Sequence, residues 1–170
     1  MMEFLSWVEH LRFSEWVLQS PSIWAYATIL TTHTIGMMIV AGVAGVIDLR
    51  LLGVSPSIPV RPLERLFPLA WFGFWINAIT GTVLLMADAT TKLTNLDFYI
   101  KMVFVFSGVT LMVVIRRRVF GDPKLDEVPL PAKARALAWL SLICWTGAIT
   151  AGRLLAYLGP VSGVPGLKNR

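Results

Sequence analysis

The chain has 170 residues, 56% of them hydrophobic and 15% charged, where a soluble domain carries about 25% charged residues. With a mean hydropathy of +0.69, this balance excludes an ordinary soluble globular domain and points to a membrane protein. The one cysteine, Cys144, excludes an intramolecular disulfide and a cysteine-based zinc cluster, and the net charge of +5 gathers in two loops, where membrane topology explains it without nucleic acid.

The first segment, 1–20, reads as one or two short amphipathic helices lying on the membrane surface. Phe4, Trp7, Val8 and Leu11 share one helical face, while Glu3, Ser6 and His10 lie away from it. The opening "MMEFLSWVEHLRF" lacks the basic start, apolar run and small-residue cleavage site of a secretory signal.

Residues 21–159 hold four segments near the ~20 apolar residues that a helix needs to cross hydrocarbon: 22–47, 67–87, 97–115 and 136–158. Ser20 and Pro21 predict the start of the first span, and Gly53 with Pro56 its close. Pro68 opens the second span. Thr94 and Asp97 are spaced as a capping box before the third. Gly159 and Pro160 end the fourth, and 160–170 follows as a Gly/Pro-rich tail. The expected fold class is all-α, a four-helix transmembrane bundle preceded by a surface helix.

The 48–66 loop carries Arg50, Arg61 and Arg65, and the 116–135 loop carries Arg116, Arg117, Arg118, Lys124, Lys133 and Arg135. The 88–96 loop has only Lys92, set against Asp88. By the positive-inside rule the first two loops are cytoplasmic and both termini periplasmic, in a bacterial inner membrane. Asp48, closing the first span, is expected to pair with Arg65 or Arg116.

Lipid gives helices no hydrophobic reason to associate, so close packing falls to small residues. Gly73, Asn77 and Gly81 share a face of the second span, and Gly36 follows His33 in the first. Span four offers Ser141, Cys144, Ala148 and Gly152, and span three aligns Lys101 with Gly108.

Ionisable groups inside a span are costly and face a partner or a cavity. His33 lies about 16 Å below the outer end of the first span at 1.5 Å per residue. One reading makes it a neutral imidazole bonded to Asn77 or a carbonyl, with Thr31, Thr32 and Thr34 nearby. The other makes it the axial ligand of haem b iron. Haem propionates pointing outward from there would rise ~8 Å, close to Arg153, ~7.5 Å from its helix end. Arg153 and Lys101 would hold them by charge-assisted bonds, with Asn77, Gly36, Gly73 and Gly81 completing the site. Alternatively, Lys101 and Arg153 snorkel to lipid or pair with Asp97 and the chain terminus.

The sixth ligand is open among Met37, Met102, a five-coordinate iron and His33 of a second copy, because His10 lies too near the surface. Copper has no spacing that groups its ligands. No Ser/His/Asp set, paired carboxylates, phosphate-binding glycine loop or Walker lysine is present, so the chain by itself reads as no enzyme.

The stretches "HTIGMMIVAGVAGVIDLRLLG", "GFWINAITGTVLLMADA", "FYIKMVF" and "AGRLLAYLG" together resemble a family of uncharacterised bacterial four-span membrane proteins. That family is in turn distantly similar to copper-resistance-D-like proteins and b-type cytochromes. The resemblance implies that His33, Lys101 and Arg153 belong to the family pattern. The cytochromes supply pairs of membrane histidines, whereas this chain has one. The expected function is haem-mediated electron transfer to or from quinone or a redox protein. The alternative is a non-catalytic subunit of a larger membrane complex, or a homodimer. A carrier for a small anion or metal is a third reading, without the broken helices or repeats of a transporter.

Overall fold

A computed structural model describes residues 7, 9–19, 24–123, 125–126 and 129–157. These residues fold as an all-helical bundle: α1 (Arg12–Gln19), α2 (Trp24–Leu51), a 3₁₀ turn (Arg61–Leu66), α3 (Phe67–Ala87), α4 (Ala89–Leu93), α5 (Leu96–Arg118) and α6 (Ala132–Tyr157). Four helices, α2, α3 with its 3₁₀ lead-in, α5 and α6, are long and apolar enough to cross a membrane. The chain is therefore a multi-pass helical membrane protein. Phe4, Val8 and the 160–170 tail lie outside the described residues.

The spans run past several expected ends. α2 continues beyond 47 to Leu51, because Asp48 and Leu51 point into the bundle rather than to water. Its close is a Schellman motif, in which Val54 N donates to Leu49 O at 3.0 Å and Gly53 N to Arg50 O at 3.1 Å. Gly53 takes φ +99°, which a side chain would disfavour. The Arg50 side chain then ties down the turn by donating to the Ile58 and Pro56 carbonyls.

At α5 the sequence names the wrong cap. Asn95, in extended backbone, accepts from Asp97 N at 2.9 Å, whereas Thr94 bonds back to Thr90 O. The asparagine carbonyl, one residue nearer the helix, reaches the N2 amide first.

The helices pack as two hairpins, α2 with α3 and α5 with α6, joined along α2 and α6. Gly36 and Gly73 let the first hairpin close: a methyl on Gly36 would sit 2.8 Å from Asn77 N and 2.9 Å from Gly73 O. Gly108 against Trp145 and Gly147 against Phe104 do the same for the second. Phe72, Trp75, Ile79, Val103, Phe106 and Ile143 stay on the outward, lipid-suited face.

The two ends differ. At the basic-loop end, Val40, Ile47, Leu51, Phe67, Met112 and Ile115 make the apolar core. The basic loops are laced together there by Asp126, whose carboxylate accepts from Val60 N at 2.7 Å and Arg61 N at 3.1 Å. The opposite end carries α1, α4 and most of the interior polar groups. α1 buries Ser14 and Val17 against the bundle and leaves Trp16 exposed.

Candidate functional site

His33 sits in the half of α2 toward α4 and turns its ring edge to α3. Nδ1 lies 3.0 Å from the Asn77 carbonyl and 3.1 Å from Thr80 Oγ1. A carbonyl only accepts, so Nδ1 carries the proton and Nε2 the lone pair. Asn77 completes a reciprocal pair: its amide Nδ2 donates to His33 O at 2.8 Å and leans to Nε2 at 3.4 Å. Thr80 returns its own hydroxyl to Ile76 O at 2.6 Å. Spacing three and four apart puts Asn77, Thr80 and Gly81 on one face of α3. Gly81 admits the ring, since a methyl there would meet His33 Cε1 at 3.0 Å.

On its open side the ring borders a cavity of about 150 Å³ lined by Tyr26, Leu30, Lys92, Phe98, Lys101 and Gly152, among others. Volume of ~30 Å³ per water makes this room for about five waters or one phosphate-sized group. Among the described residues no acidic side chain lines it. Lys101 rises from the first turns of α5 past Gly152, where a methyl group would lie 3.8 Å from Nζ. It makes no hydrogen bond or ion pair among the described residues, and Asp97 lines a different cleft. Lys92 enters from α4 and donates from Nζ to Leu84 O, 2.5 Å away in the last turn of α3. Burial holds its ammonium below the ordinary lysine range, with Asp88 pulling the other way.

α4 is short and its own N-cap, Asp88, contributes no side-chain bond. Glu9 substitutes from the N-terminal segment, accepting from Thr90 N and Thr90 Oγ1, each at 2.6 Å.

The structure thus gathers His33, Asn77, Gly81 and Lys101 in one place and separates the other expected site residues. Arg153 is exposed and absent from the cavity, which takes its neighbour Gly152 instead. Gly36 and Gly73 lie in the α2–α3 contact and serve packing rather than a ligand. Lys92, read from the sequence as a loop charge, is a lining residue. Its signal was only its place three residues before Asn95, too weak to predict the fold-back of α4.

Haem does not fit these residues as arranged. The Nδ1 bond to a carbonyl is the orientation that ligating histidines use, but the Nε2 lone pair faces the Asn77 amide and the ring edge is seated on Gly81. The cavity is below the ~300–1,000 Å³ of pockets for drug-sized ligands. Neither Met37 nor Met102 lines it.

No family model, curated protein or solved structure matches the chain.

Proposed function

We propose that the chain is a multi-pass membrane protein that holds a phosphate or carboxylate group in the cavity between His33, Lys92 and Lys101. In the orientation expected from the loop charges, this cavity belongs to the outer, periplasmic half of an inner-membrane bundle. One observation carries the reading: an unpaired lysine ammonium and a second lysine line one small cavity whose described lining includes no carboxylate. Charges inside a span pair with one another or mark a ligand path, and an anion would satisfy both cations at once. Tyr26 adds a hydroxyl at the same cavity. Electron transfer through haem b draws less support, because Nδ1 of His33 is bonded to Asn77 O and Nε2 faces the Asn77 amide 3.4 Å away.

A charge-assisted hydrogen bond contributes ~1.5–3 kcal/mol, so Lys101→Gln is expected to weaken anion binding roughly 10- to 150-fold. The full chain in phosphatidylcholine nanodiscs, melted with and without inorganic phosphate or phosphatidylglycerol, reads this as a gain in thermal stability. Stabilisation by phosphate identifies a free anion, and stabilisation by phosphatidylglycerol alone identifies a lipid headgroup. Lys133→Gln, on an exposed position of the basic-loop end, controls for nonspecific charge. The proposal fails if neither probe stabilises the wild type more than Lys101→Gln. A Soret band in the purified chain would return the haem reading to first place.

A further inference from the structure

Among the described residues, the one charged side chain that is buried lies in the core at the basic-loop end. Asp48, on α2, is 1% exposed, and neither of its carboxylate oxygens has a hydrogen-bond partner. Ser141 of α6, also 1% exposed, is the polar side chain that acts on it. Trp145 lies four residues further along α6, on the same face, and is 3% exposed. Ser141 Oγ and Trp145 Nε1 are likewise without partners. Two facing helices therefore bring a carboxyl and a hydroxyl into one dry layer, each unsatisfied.

Neither expected arginine pairs with Asp48, which corrects the sequence reading. Arg116 lies over the Phe67 ring, 5.6 Å from its centroid, and Arg65 is exposed. Arg50, two residues from Asp48, bonds to the Pro56 and Ile58 carbonyls. The elements packed at this level contribute apolar groups: Phe67 and Ala70 from α3, Met112 and Ile115 from α5, Ala138 from α6. No charged side chain acts on Asp48 from any of them.

An ionised carboxylate in such a layer, with no cation beside it and no hydrogen bond made, is among the most costly arrangements a membrane protein can hold. Natural structures keep buried polar atoms satisfied, and an exception asks for a reason. The missing group must neutralise a single negative charge. A metal ion would need several oxygen ligands, and only one carboxyl and one hydroxyl converge here. A proton needs none beyond the carboxyl.

We propose that Asp48 is a proton-binding site of the basic-loop half of the bundle. One proton from hydronium on that side joins one carboxylate oxygen to give the neutral acid, and the hydronium that loses it leaves as water. The acid gains an O–H donor for Ser141 Oγ, so one proton both removes the charge and can pair the two groups. The site is independent of the anion cavity. Asp48 lies 15 residues from His33, about 22 Å along the helix.

Infrared spectroscopy of the full chain in lipid tests this directly. At neutral pH the wild type is expected to show the carbonyl stretch of a protonated carboxylic acid, shifted in D₂O and lost in Asp48→Asn. Ser141→Ala should keep the band and move its frequency, which a change in folding alone does not produce. As a measurement free of substitutions, a lipid-soluble carbodiimide should label Asp48 in the wild type, and labelling should fall as pH rises. Absence of the band at neutral pH, or its persistence in a folded Asp48→Asn variant, overturns the proposal.

Discussion

Substituting Gly36 by alanine drives a methyl group into the backbone of α3. The new carbon would lie 2.8 Å from Asn77 N and 2.9 Å from Gly73 O, where carbon contacts settle at ~3.5–4.0 Å. Main-chain atoms of a helix cannot swing away, so α2 and α3 must part by about 0.7–1 Å. His33 lies one turn away on the same face, and its Nδ1 contacts of 3.0 and 3.1 Å would stretch beyond the ~3.2 Å limit of a good hydrogen bond. Overpacking costs ~1–3 kcal/mol, and each lost interhelical bond adds ~0.6 kcal/mol in a membrane. Helix propensity returns ~1 kcal/mol for Gly→Ala. The net expected loss is about 1–3 kcal/mol. Gly42, also in α2, has nothing within 4 Å of its own methyl position, so Gly42→Ala should stabilise by up to ~1 kcal/mol. Reversible unfolding in mixed micelles, followed by circular dichroism, compares the two. Equal stability of Gly36→Ala and Gly42→Ala would refute the close-contact account.

Two other substitutions probe the polar end. Asn77→Leu keeps the side-chain size but removes the 2.8 Å bond to His33 O, and should cost ~1–2 kcal/mol in the same unfolding assay; wild-type stability would show that the amide is idle. Lys92 has a folded pKa lowered by burial, so above that value the unfolded chain binds the extra proton. Stability should therefore rise with pH from the folded value up to the unfolded one, about 10.4. Lys92→Met is expected to flatten that alkaline rise, and an unchanged slope would assign it to other groups.

The spans were legible because apolar length is a property of composition alone, and the His33–Asn77 pairing because a buried imidazole must bond to something. Their ends were less so. Asp48 looked like a helix-end charge reaching for arginine, yet α2 carries it a turn into the core before Gly53 reverses the chain. Arg153 was matched to the site by depth, and depth fixes height but not direction. One residue turns a helix by ~100°, enough to give Gly152 to the cavity and Arg153 to the outside. Lys92 joined the site only because the turn after α3 becomes a helix of its own, a consequence of tertiary support that no local pattern announces.

That support comes from Glu9. Its grip on Thr90 makes the leading segment a strut for the wall from which Lys92 projects. Trimming or fusing ahead of Glu9 would therefore perturb the proposed anion cavity at a distance, even where all four membrane helices assemble normally. Versions with a free and with a blocked leader should differ in anion affinity before they differ in folding.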